Sequence, residues 1–348
     1  MGKGVILKYR DYLPINEKTP IITLCEGDTP LIYAENLSKE YKINLFLKYE
    51  GMNPTGSFKD RGMVVAVAKA LENNAKAIIC ASTGNTAASA AAYASISRIK
   101  SYVLLPKNAI ALGKLAQAIM YGAEVISVNG NFDSALNLVK EISQFYPIEI
   151  VNSINPFRIE GQKTAAFEIC DVLEDSPEFL AIPVGNAGNI TSYWKGFKEY
   201  YSLGKIKKLP KLLGFQAEGS APLVLGRPIE NPQTIATAIR IGNPASGEKA
   251  LNAIRESQGI IDMVSDKEIL LAQKELASKE GIFVEPASAA SWAGVKKILR
   301  EKKLTLYGNI VCILTGNGLK DPDSALKNAK ISHEIDPKIE ELLRILKS

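Results

Sequence analysis

The chain has one histidine, His333, standing in a polar tail. A histidine-based triad or a multi-histidine metal centre therefore lacks its material, and no metal is expected. The four cysteines, Cys25, Cys80, Cys170 and Cys312, are far apart, with Cys80 and Cys312 in apolar, strand-like runs. They read as buried free thiols in a reducing compartment, not as a disulfide framework. No apolar run approaches the roughly 20 residues that a membrane helix needs. The opening MGKGVILKYRDYL has no secretory apolar region, so a cytoplasmic protein with no membrane partner is expected. Charge is also nearly balanced: Lys+Arg of 42 against Asp+Glu of 37 gives +5, spread along the chain, which does not argue for nucleic acid. Acid–base chemistry must then come from lysines, carboxylates, hydroxyls or a borrowed cofactor.

What the chain does contain is globular: 348 residues, 46% hydrophobic and 23% charged, a length at which two domains are the natural expectation. From residue 77 onward short apolar runs alternate with helical periodicity. Segments 77–80, 102–105, 124–128, 149–151, 179–184, 212–217 and 310–314 read as strands buried on both faces. Between them lie stretches such as 61–71, with Met63, Val64, Val67, Ala68 and Leu71 on one helical face. Strand–helix alternation predicts an α/β fold of parallel sheets covered by helices. Turn-rich breaks fall at 51–56 and 152–158. Segment 219–248, rich in Gly, Pro and Asn, reads as a long irregular connection, and a final helix is expected at about 337–346.

Polar clusters sit where such a fold exposes its sites, in loops after strands. Lys59 lies in Asn53-Pro54-Thr55-Gly56-Ser57-Phe58-Lys59-Asp60-Arg61-Gly62, at the start of a helix. A cation is misplaced at that positive end, which depresses its pKa and favours a nucleophilic amine; an ordinary solvated lysine is the alternative. Ser82, Thr83, Gly84, Asn85 and Thr86 stand before an Ala-rich helix, where orphan N–H groups take an anion or are simply capped. Gly185-Asn186-Ala187-Gly188-Asn189 repeats the strand–glycine loop–helix pattern without matching a dinucleotide or P-loop motif. Thr315 follows the most apolar strand. Asn152, Ser153 and Arg158 gather amide, hydroxyl and guanidinium groups within seven residues, suited to phosphate unless Arg158 merely pairs with a surface acid. Two candidate anion sites and one reactive lysine suit a phosphate-bearing carbonyl cofactor better than NAD, whose glycine pattern is absent.

The string Ser57–Gly62, the 82–85 loop and the 185–189 loop resemble those of the pyridoxal-phosphate enzymes of the tryptophan-synthase-β type, the fold type II group. With Glu26-Gly27-Asp28-Thr29-Pro30-Leu31, Asn152–Arg158 and Leu314–Pro322, the resemblance spans nearly the whole chain. Within the group it is closest to the threonine synthases of the short form. It implies two parallel-rich α/β domains, a smaller one at 53–148 and a larger one from 1–52 and 149–348, with the cofactor in the cleft between them. It also implies that Lys59 holds pyridoxal 5′-phosphate and acts as the catalytic amine. Asn85 would bond the ring hydroxyl, Gly185, Asn186, Ala187, Gly188 and Asn189 the cofactor phosphate, and Thr315 would face the ring nitrogen. Ser82, Thr83 and Thr86 would take the substrate's amino-acid end, and Asn152, Ser153 and Arg158 its phosphate. The implied reaction turns O-phospho-L-homoserine and water into L-threonine and phosphate, in a homodimer. The alternatives are a threonine or serine dehydratase, which needs no second phosphate site, and a catalytically dead binding protein, against which an intact Lys59 argues.

Overall fold

The computed structural model describes residues 3–82, 84–107, 112–130, 132–322 and 333–346. In chain order its strands are β1 (Leu31–Tyr33), β2 (Asn44–Tyr49), β3 (Ala77–Ala81), β4 (Lys100–Pro106) and β5 (Glu124–Val128). There follow β6 (Ile148–Ile150), β7 (Phe179–Pro183), β8 (Lys211–Ala217), β9 (Ile260–Val264) and β10 (Asn309–Leu314). They form a six-stranded sheet of order β1-β2-β10-β7-β8-β9 and a four-stranded sheet of order β5-β4-β3-β6. Every pairing is parallel except β1 with β2. The α/β architecture and the parallel-rich sheets are thus as the alternation predicts.

The departures have physical reasons. β5 and β6 are the outer strands of the smaller sheet, and neither is buried on both faces: β5 mixes exposed and half-buried residues, and β6 is half-buried throughout. β6 pairs with β3, so the smaller sheet extends two residues beyond position 148. β2 and β9 escape an apolar-run reading because each carries a charge within it, Lys48 and Asp262. Cys80, Cys170 and Cys312 are buried, whereas Cys25 is exposed. Segment 219–248 is irregular apart from two short helical turns, Pro222–Leu225 and Thr237–Ile239, and the start of a helix at Gly247. The last helix, Ile339–Leu346, has no buried residue.

One apolar core joins the two sheets. Ile78, Cys80, Val103 and Leu105 of the smaller sheet share it with Leu180 and Ile182 of the larger, through the helices Lys59–Glu72, Asn85–Ile96, Pro156–Leu173 and Gly188–Ser202. A second core, around Leu276, Trp292 and Ile298, lies under the larger sheet's other face. The 59–72 and 156–173 helices cross backbone to backbone. A Cβ on Gly161 would stand 1.9 Å from the Arg61 carbonyl oxygen, and one on Gly62 would stand 2.6 Å from that of Arg158. Only glycine fits at such a crossing.

The same crossing buries charge. The Arg61 guanidinium donates to both oxygens of Glu50 (2.6 and 2.8 Å) and both of Glu168 (2.6 Å each). Lys48 Nζ donates to Glu168 (2.6 Å) and to the Thr29 carbonyl (2.6 Å). Two cations thus meet two carboxylates, tying β2, both helices and the 26–31 segment together. Burial alone would raise the Glu168 pKa; Arg61 and Lys48 outweigh it and hold the carboxyl well below its usual range. Removing one member of such a set strands the others, typically at about 3–5 kcal/mol. Glu168→Gln is therefore expected to destabilise the cofactor-free protein by about that amount in urea unfolding. A loss below about 1 kcal/mol, the worth of an exposed pair, would mean that the network is solvated.

Candidate active site

Lys59 is the first residue of its helix, as expected, and the loop before it is stitched in place. The Asp60 carboxylate accepts from Thr55 N (2.7 Å), Thr55 Oγ1 (2.6 Å) and Ser89 Oγ (2.6 Å). Burial pushes its pKa up to about 6 against those bonds. Ser57 forms an antiparallel bridge with Gly316, Phe58 N donates to the Thr315 carbonyl (3.0 Å), and Asn317 N to that of Gly56 (2.9 Å). The lysine loop and the loop after β10 are therefore one unit. The half-buried Lys59 lays its Nζ 4.3 Å from the Phe58 ring centroid, and no acceptor binds it among the described residues. Its pKa is lowered to about 7, first by burial and then by the Arg158 cation, with Glu285 opposing. The direction is the one expected from sequence; the chief cause is desolvation and a neighbouring charge, where the sequence suggested the helix end.

Around this amine the structure gathers residues from both sheets. Asn85 opens the helix after β3 and donates to Glu285 Oε2 (3.0 Å). Thr315, at the end of β10, lies 3.1 Å from Glu285 Oε1 and 3.0 Å from Ser288 Oγ. Ser82 Oγ accepts from Gly84 N (3.3 Å), and Thr86 is half-buried nearby in the chain; Thr83 lies outside the described residues. Sequence reasoning misses Glu285. Standing just before Pro286 at a helix start, it is indistinguishable there from an ordinary acidic N-terminal residue.

The 185–189 loop leads into the 188–202 helix, with Ala187 in the left-handed region (φ 65°). Its glycines differ in role. A Cβ at Gly185 would meet Ile239 Cα at 2.8 Å, so this residue is small for packing, whereas one at Gly188 would touch only Ile159, at 3.7 Å. Asn186 binds Ser153 Oγ through its Nδ2 and accepts from Ala245 N (2.6 Å). Buried Asn189 Nδ2 has no partner among the described residues. Arg158 is fully buried and, among the described residues, gives only one hydrogen bond, Nη1 to the Val151 carbonyl (2.7 Å), leaving Nε and Nη2 without partners there. Burial lowers its pKa to about 10. No surface acid pairs with it among the described residues. Asn152 is less available, since its amide binds Ala81 N and the Ala81 carbonyl (both 3.0 Å), like a strand neighbour.

These residues fit a phosphorylated aldehyde: an unpaired amine with a depressed pKa, a helix N-terminus beside an orphaned amide, and polar groups between. The two Arg158 nitrogens without partners among the described residues could serve a second anion, and Ser153, in the same segment, bonds Asn186 of the glycine loop. Among the described residues no cluster of His, Cys, Asp and Glu could hold a metal ion.

The family described as "Pyridoxal-phosphate dependent enzyme" matches residues 22–316. The chain is 57% identical to the threonine synthase of Halalkalibacterium halodurans over 97% of its length and 96% of that protein. It is 54% identical to that of Methanocaldococcus jannaschii over 98% of its length and 87% of that protein. Among solved structures, maize serine racemase superposes with a TM-score of 0.74 at 22% identity, covering 87% of this chain and 91% of that one. Threonine deaminase isoform 2 from Solanum lycopersicum, in its processed form, does so with a TM-score of 0.74 at 24% identity, covering 88% and 89%. The structural likeness establishes the fold, fold type II, and the sequence likeness the branch: the chain belongs to the pyridoxal-phosphate-dependent enzymes, among the threonine synthases.

Proposed function

We propose that the chain is the lyase that converts O-phospho-L-homoserine and water to L-threonine and phosphate in threonine biosynthesis. Beyond the family, one observation carries the reading: a buried guanidinium with two unpartnered nitrogens stands close enough to Lys59 to lower its pKa. A dehydratase acting on an unphosphorylated amino acid has no use for that second anion site. When bound, pyridoxal phosphate supplies an electron sink for charge developing beside the amino-acid α-carbon.

The chain's own residues supply the rest. Lys59 holds the cofactor and, as an amine with a pKa near 7, takes and returns protons along the substrate chain at neutral pH. Asn85, Gly185, Asn186, Ala187, Gly188, Asn189 and Thr315 bind the cofactor. Ser82, Thr83 and Thr86 take the substrate's carboxylate end, and Arg158, with Asn152 and Ser153, its phosphate. On this reading the two sheets belong to a smaller domain, 53–148, and a larger one, 1–52 with 149–348, whose cleft excludes water other than the reacting one. A homodimer and a cytoplasmic location belong to the reading through the family likeness. No helix of the described residues is long and apolar enough to cross a membrane.

Phosphate release from O-phospho-L-homoserine should match threonine formed, with little α-keto acid released from threonine itself. Dominant keto-acid release would return the dehydratase. Arg158→Ala should raise KM for the phosphorylated substrate about 10- to 100-fold, the range for a hydrogen-bonded charge. An unchanged KM would remove Arg158 from the phosphate site. Lys59→Ala should abolish turnover and the visible absorbance band while leaving circular dichroism unchanged. In the cofactor-free protein the Lys59 amine is protonated below pH about 7 and neutral above it, so cofactor uptake should speed up with rising pH around that midpoint. A midpoint near the ordinary lysine value of about 10.4 would mean a solvated side chain.

A further inference from the structure

Glu285 is a buried carboxyl that connects two residues from different sheets. It accepts from Asn85 Nδ2 at 3.0 Å through Oε2, and its Oε1 stands 3.1 Å from Thr315 Oγ1. Ser288 Oγ accepts from Gly316 N (2.9 Å), and its one hydrogen goes either to the Gly316 carbonyl (3.2 Å) or to Thr315 Oγ1 (3.0 Å). The direction of the Glu285–Thr315 bond then decides what Thr315 can offer. If Oε1 carries a hydrogen and Ser288 gives its own to Thr315, the threonine oxygen accepts both and its own hydrogen points into the cleft. If Oε1 is bare, it draws the threonine hydrogen to itself, and Thr315 presents only lone pairs.

We propose that Glu285 is a positioning residue of this site: as a neutral carboxylic acid it fixes Asn85 and donates to Thr315, leaving the threonine hydroxyl a donor toward the cofactor's ring nitrogen. This rests on the cofactor placement given above. A ring nitrogen that receives a hydrogen bond stays unprotonated, whereas one facing lone pairs must carry its own proton. Burial favours the neutral form, with Asp321 acting in the same direction. The bonds from Asn85 and Thr315 and the charge of Lys320, from the turn after β10, act against it, and the Lys59 amine faces the carboxyl from the 59–72 helix. A half-neutral Lys59 at pH 7 weakens a cation that would ionise Glu285.

Glu285→Gln tests the assignment, because a glutamine amide can donate to Thr315 and accept from Asn85 as the neutral acid does, but cannot ionise. Cofactor-free parental protein, Glu285→Gln and Glu285→Ala would be titrated with pyridoxal phosphate alone, recording the dissociation constant, the absorbance band from pH 6 to 9 and the melting temperature before addition. Glu285→Gln should bind within about twofold of the parent with an unchanged band, and Glu285→Ala about tenfold more weakly, the worth of one neutral hydrogen bond. Should Glu285→Ala fail to fold, Thr315→Val serves as the variant lacking the donor. A glutamine variant that binds as weakly as these, or with a shifted band, overturns the proposal, since the ionised form would then be the working one. An alanine variant that binds like the parent also overturns it. A purely structural role would lower the glutamine and alanine melting temperatures together. Both binding readouts use the cofactor alone, so a protein that failed to release phosphate from O-phospho-L-homoserine would sink the substrate reading and leave this result legible.

Discussion

The rest of the site depends on the four buried charges at the start of the 59–72 helix. Arg61 follows Lys59 by two residues, and its guanidinium is saturated by two carboxylates from opposite sides, Glu50 beyond β2 and Glu168 in the 156–173 helix. A planar fork engaged on both edges has no rotational freedom, so the first turn of its helix has none either. Asp60 clamps the preceding loop from the other side through Thr55 and Ser89. Lys59 stands between these two anchors, with its Nζ laid over the Phe58 ring.

The surroundings of the Lys59 amine set its chemistry. An exposed lysine would be charged and inert at neutral pH. Burial removes the solvation that a cation needs, and Arg158 adds repulsion, while Glu285, its own carboxyl weakened by burial, returns only part of what is lost. Burial and two residues from two elements, Arg158 and Glu285, thus tune one amine.

Much of this was legible in the sequence, because strands buried on both faces write themselves as unbroken apolar runs, as at 77–80, 179–184 and 310–314. β2 was hidden because Lys48 interrupts it, and that lysine is buried only because Glu168, 120 residues away in sequence, meets it. Lys59 and the glycine loop could be found because turn residues and helix starts are local signals. Arg158 was recognisable as a forked cation, though not as one deprived of partners. Glu285 was invisible for the same reason as β2: its significance lies in a bond to Asn85, 200 residues distant, and in a hydroxyl on another strand. Local spacing carries no trace of either.

The glycine crossing has a metric consequence. Lys59 precedes Gly62 by three residues, and the Arg158 backbone is itself what Gly62 meets, so the amine springs from the turn beside the contact and the guanidinium from the contact itself. Two backbones already touching can move no closer, and the charges buried beneath them resist parting. The crossing thereby sets the spacing of the two helices that carry Lys59 and Arg158, and with it how far apart the amine and the guanidinium can stand.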